Sequence, residues 1–92
     1  MIYKKAIQRW GEQSQLIKLN EELSELIGAV SKYLLKDIEK RHEVQILEMH
    51  ITDEVADCEI MIEQLKRILN LHRKVEQTKI YKLERLEKLC SS

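Results

Sequence analysis

Proline and phenylalanine are absent from this chain, and glycine occurs twice in 92 residues. Strand-and-turn architectures therefore lack their punctuation and one of their favoured residues. Charge of either sign is not in excess, because 16 Lys and Arg cancel 16 Asp and Glu. That balance argues against the dense basic surface that sequence-independent nucleic-acid binding requires. Cysteine is scarce: Cys58 and Cys90 make neither a Cys-x-x-Cys pair nor a zinc-ligand cluster. With no recognisable secretory leader, two such thiols suit the reducing cytoplasm. No apolar run approaches the roughly 20 residues that cross a bilayer. A soluble cytoplasmic protein is expected, with neither nucleic acid nor membrane as partner.

What is present is rich in Leu, Ile, Glu and Lys, all compatible with helices. The apolar content suffices for one core, so residues 1–92 are read as a single all-α domain. Ile2, Tyr3, Ala6, Ile7 and Trp10 recur at the helical period and Gly11 interrupts them, which predicts a short helix over 2–10. Leu16, Leu19, Leu23, Leu26, Ile27, Val30 and Leu34 form a stripe at steps of three and four, predicting a helix over 14–35. The charged stretch 36–43 has no apolar face, and the chain is expected to turn there. One unbroken helix through it would strand the stripe in water. Leu47, Ile51, Val55, Cys58, Ile62, Leu65 and Leu69 define a helix over 44–69 that stops at Asn70. Val75, Ile80, Leu83, Leu86 and Leu89 define a more exposed one over 73–89. The whole reads as a four-helix bundle.

Two pairs of acids stand out. Glu22 and Glu25 are three residues apart on the second helix, as are Glu54 and Asp57 on the third, so each pair shares a face. At about 100° per residue, Glu25 lies about −60° from Glu22, while Leu26, Leu19, Val30 and Leu23 lie between about +40° and +100°. From Glu54, the same angles hold for Asp57 and for Cys58, Ile51, Ile62 and Val55. The acids border the apolar stripe identically on both helices, and antiparallel packing would bring all four to one seam. Unit charges about 4 Å apart repel by roughly 4 kcal/mol at an effective dielectric near 20, so such a seam must hold protons, splay or take up a cation. Oxygen-only ligation suits Mg²⁺, with Mn²⁺ as a substitute, and Mg²⁺ commonly takes substrate phosphates as further ligands. The competing reading is ordinary bundle charge: Glu84 and Glu87 repeat the spacing and read as solvated surface. Against it, positions 20–31 and 51–65 contain no basic residue.

The segments Leu19-Asn20-Glu21-Glu22-Leu23-Ser24-Glu25 and Asp53-Glu54-Val55-Ala56-Asp57 resemble the MazG-like nucleotide pyrophosphohydrolases of the all-α NTP pyrophosphatase group. The resemblance lies in Glu-x-x-Glu followed by Glu-x-x-Asp, here 28 residues on, and extends from about Trp10 to Leu69. It implies hydrolysis of a nucleoside or deoxynucleoside triphosphate to the monophosphate and pyrophosphate. Mg²⁺ would be held by Glu22, Glu25, Glu54 and Asp57, and the protein would be a homodimer or homotetramer. It also implies phosphate contacts from Lys79, Lys82 and Arg85, for which a solvated helix face is the competing reading. Trp10 reads either as a stacking platform for a base or as a packing anchor. Gln15 and Asn20 are further candidate contacts, and Glu21 points about 100° away from Glu22.

Other candidates are weaker. His50, four residues before Glu54, either reaches the acids or stays at the surface. Glu39 and His42 have the Glu-x-x-His spacing of di-iron bundles, but such sites need the motif on two helices and only one copy exists. Met49, Met61 and Cys58 are expected to fill the core. Two other functions compete: a non-catalytic helical oligomerisation protein, which leaves the matched acid pairs unexplained, and a nucleotide sensor, against which the intact acids argue.

Overall fold

The computed structural model describes residues 1–39 and 43–91. It is all-α, as expected, with no strand among the described residues. Helix α1 spans Ile2–Trp10, α2 Glu12–Leu34, α3 Lys36–Glu39, α4 Val44–Leu69 and α5 His72–Ser91. The expected turn over 36–43 begins with the single-turn α3; His42, and with it the Glu-x-x-His spacing, lies outside the described residues.

Local chemistry explains the breaks. Gly11 joins α1 to α2 at φ 88°, a conformation that costs glycine least, and its N–H closes α1 on the Ile7 carbonyl at 2.8 Å. Asn70 ends α4 in the left-handed region at φ 54° and ψ 52°, which Asn tolerates better than most residues. The Leu71 N–H then returns to the Lys66 carbonyl at 2.8 Å, satisfying one of the helix's terminal acceptors.

Helices α2 and α4 form a hairpin that contains most of the contact between elements. α1 lies against its open end, where the Arg67 guanidinium sits 5.0 Å from the centre of the Tyr3 ring. α5 meets α4 at their junction, where His72 Nε2 lies 2.8 Å from Glu63 Oε1, and none of its described side chains is buried. The hairpin seam contains Gln15, Leu19, Glu22 and Ala29 from α2, facing Leu47, Glu54, Cys58, Met61 and Gln64 from α4.

This seam corrects the expected core. On each helix the buried line is rotated toward the acids, so Glu22 and Glu54 lie inside the contact rather than along its border. Leu23, Ile27, Val30 and Leu34 on α2, with Val55, Ile62 and Leu69 on α4, are exposed. A pair of helices meets along a narrow line repeating every three or four residues, whereas the apolar stripe is wider than one neighbour covers. Met49 is likewise exposed instead of filling the core, while Met61 and Cys58 are buried as expected.

Candidate metal centre

Three of the four acids, Glu22, Glu25 and Glu54, converge where α2 and α4 cross, and Asp57 lies beside Glu22 but outside that group. Antiparallel packing reverses the order of the pairs, so Glu25 faces Glu54 and Asp57 faces Glu22. Carboxylate oxygens of Glu22, Glu25 and Glu54 lie within 4.8 Å of one another. Glu22 and Glu54 retain only 4% and 8% of their surface, while Glu25 and Asp57 are exposed. The centre therefore has a buried floor of two glutamates and an open rim of two more acids. One oxygen of each floor residue, Glu22 Oε2 and Glu54 Oε2, is buried with no hydrogen-bond partner. Buried carboxylate oxygens ordinarily find partners, so two orphans side by side form a polar cradle awaiting a donor or a cation.

The electrostatics agree. Burial raises the Glu54 pKa, and the hydrogen bond with Glu25 and the charges of Glu25, Asp57 and Glu22 raise it further. Asp57 is raised by burial first, then by the charge and hydrogen bond of Glu22 and by Asp53, with Lys18 opposing. Glu54 and Asp57 therefore hold their protons to higher pH than isolated acids do. Burial and the same acids also push up the Cys58 thiol, whose Sγ donates to the Glu22 carbonyl at 3.3 Å. A protonated, buried thiol is inert packing rather than a nucleophile.

Two residues four positions upstream of the floor complete the site. Lys18 Nζ lies 3.0 Å from Glu22 Oε1, and this contact raises the lysine's pKa. His50 Nε2 lies 3.6 Å from Glu54 Oε1, so His50 reaches the acids while remaining partly exposed. Lys18 corrects the view that the acids lack a local cation: it falls just outside the span 20–31, and the spacing of four was the signal that could have found it. Gln64 was also missed. It donates to Gln15 Oε1 at 3.0 Å, both side chains being buried, and forms a neutral polar pair two turns of α2 from Glu22.

The other candidates divide. Trp10 is 61% exposed, which corrects the packing-anchor reading. It lines a cavity of about 330 Å³ with Ser14, Gln15, Ile17, Lys18 and Glu21. Through Lys18 this cavity adjoins Glu22, and Glu21 lies 3.9 Å from the same lysine. Asn20 is exposed, on the side of α2 turned away from the acids. Lys79, Lys82 and Arg85 are exposed on α5, where Lys79 lies 3.7 Å from Glu76. Glu84 and Glu87 are exposed, as a solvated surface pair should be. No described helix is long and apolar enough to cross a membrane. No protein-family model, curated protein or solved structure matches the chain.

Proposed function

We propose that the chain is a Mg²⁺-dependent nucleotide pyrophosphohydrolase of the MazG-like type, cleaving a nucleoside or deoxynucleoside triphosphate to the monophosphate and pyrophosphate and working as a homo-oligomer. The observation that carries this reading is the cradle itself: the carboxyl groups of Glu22, Glu25 and Glu54 converge from two helices, with two buried oxygens unpartnered, beside a cavity walled by an exposed indole. The donor set fits the metal. All four ligands are hard oxygens, two orphans lie on the floor, and the rim is open to the waters and phosphate oxygens that Mg²⁺ retains. When bound, the ion supplies charge neutralisation of the phosphates and acidification of a water.

The chain's own residues do the rest. Glu22 and Glu54, locked by burial, set the position of the site, and Glu25 and Asp57 close around its rim. Lys18 is held by Glu22 at the boundary between acids and cavity, where an ammonium attracts a phosphate tail and positions it. Trp10 offers a flat apolar face to a base, with Ser14 and Glu21 as polar partners. No one acid is assigned as general base. The overall change is addition of water across a phosphoric anhydride, with the proton of the attacking water released to solvent or to a neighbouring carboxylate.

A nucleotide panel assayed with Mg²⁺ and full product identification tests the proposal: monophosphate and pyrophosphate in equal amounts are expected from at least one triphosphate. Glu22→Gln and Asp57→Asn should each abolish that release while leaving helicity intact, and undiminished activity in both would remove the site from consideration. Trp10→Ala should raise KM about tenfold with little change in kcat, since a base–aromatic stack is worth roughly 1–3 kcal/mol.

A further inference from the structure

We propose that His50 is a nitrogen ligand at one end of the acid seam, so that the centre holds a first-row transition ion such as Mn²⁺ or Co²⁺ more tightly than Mg²⁺; this rests on reading the seam as a metal centre but not on the reaction proposed there.

The two ends of the seam carry different nitrogens. At the Glu22 end, Lys18 Nζ lies 3.0 Å from Glu22 Oε1. An ammonium has three donors and no lone pair, so it neutralises a carboxylate but ligates nothing. At the Glu54 end, His50 Nε2 lies 3.6 Å from Glu54 Oε1. A neutral imidazole presents a lone pair, and histidine is the commonest metal ligand. His50 and Glu54 are four residues apart on α4, so both project from one face. The two zinc-binding histidines of a His-Glu-x-x-His helix have the same spacing.

The geometry allows one ion to take both groups. Bonds of about 2.1 Å put neighbouring ligand atoms of an octahedral ion about 3.0 Å apart and opposite ones about 4.2 Å apart, and 3.6 Å falls between. Glu54 Oε2 is buried with no hydrogen-bond partner, so a cation arriving there meets an oxygen already stripped of water. Glu25 faces Glu54 from α2 and supplies a second carboxylate. The His50 side chain is 43% exposed and can turn onto an ion without unpacking the core. Cys58 stays out, because its Sγ donates to the Glu22 carbonyl at 3.3 Å and burial keeps the thiol protonated. The donor set is thus carboxylate oxygens with one imidazole nitrogen. Imidazole suits transition ions, whereas Mg²⁺ takes oxygen alone. The acids suffice for Mg²⁺, so losing His50 removes the preference and not the centre.

Pulsed EPR of Mn²⁺ bound to the full chain should show coupling to an imidazole nitrogen, lost in His50→Ala and retained when His42 and His72 are both replaced by alanine. In calorimetric titrations His50→Ala should weaken Co²⁺ binding at least about tenfold, since loss of even an indirect metal contact costs about 10- to 100-fold. Mg²⁺ binding should change less than about threefold, because oxygens alone satisfy that ion. Helical circular dichroism should be unchanged, and His50→Gln, which keeps a polar side chain without a ring nitrogen, should repeat both results. Absence of nitrogen coupling in the wild type, coupling that persists in His50→Ala, equal losses for the two ions, or tighter binding of Mg²⁺ than of Co²⁺ by the wild type would each overturn the proposal. The centre survives those results if Mg²⁺ binding still requires Glu54. Failure of both ions to bind, or binding unaltered by Glu54→Gln, overturns the centre and the proposal together.

Discussion

Glu54 and Glu63 lie on the same helix, nine residues apart, and their environments push them in opposite directions. Glu63 is half-buried, with His72 Nε2 at 2.8 Å, Lys66 Nζ at 3.5 Å and Arg67 Nε at 3.4 Å. The hydrogen bond from His72 leads in lowering its pKa, helped by Lys66. Glu54 is buried among three other acids, and its pKa is raised. One carboxylate has been given its cations by the fold; the other has been given competitors. The first ties α4 to α5. The second crowds like charges at the seam, which costs stability once they ionise.

The comparison breaks most sharply on turnover. Glu54→Gln should lower kcat/KM for triphosphate hydrolysis by at least about 100-fold, since loss of even an indirect metal contact costs about 10- to 100-fold. Glu63→Gln should leave it near the wild-type value. Equal losses in steady-state assays would show that the two acids do not differ in role.

Metal should separate them next. Mg²⁺ at about 100 times its dissociation constant should raise Tm by about 10 °C or more in a chain of this size. The shift should survive Glu63→Gln and disappear in Glu54→Gln. In metal-free buffer Glu54→Gln should itself melt above wild type, because one repelling charge has gone.

Proton linkage gives a third test, with opposite signs at the two sites. Glu54 and Asp57 hold protons more tightly folded than unfolded. Their contribution is therefore most favourable below the unfolded values of 4.5 and 3.8. It is lost as pH rises through the raised folded values. Glu63 is lowered, so its contribution is complete above 4.5 and is lost as pH falls through the folded value. Metal-free melts from about pH 4 to about pH 7 should thus show a falling component that weakens in Asp57→Asn. The smallest effect is expected from Glu63→Gln at neutral pH, a slight fall in Tm without change in helicity, because these ion pairs are partly solvated.

Much of the helical layout was legible in the chain. The stripe from Leu16 to Leu34 gave α2 within two residues at each end, Asn70 marked the end of α4, and Gly11 marked the break after α1. The paired acids were legible too, because a spacing of three means one face of a helix whatever packs on it. The burial pattern was less so. Periodicity put Leu23, Ile27 and Val30 in the core, yet they are exposed, since a wide apolar stripe does not say which of its edges meets the neighbour. Gln15 read as a candidate ligand contact and Gln64 carried no signal, yet in the structure they are buried hydrogen-bond partners of each other. Lys18 and His50 were readable from their spacing to Glu22 and Glu54, but neither spacing alone distinguishes a site contact from a surface pair.

By itself, then, the amino-acid order determined where helices start and stop and which side chains share a face, because those follow from backbone sterics and a repeat of 3.6 residues. Only the tertiary structure decided that Glu22 meets Asp57 and Glu25 meets Glu54, that two of their oxygens are buried without partners, and that an apolar flank is left uncovered. These depend on the rotation of one helix against another, a long-range choice among apolar and polar contacts that no local pattern encodes.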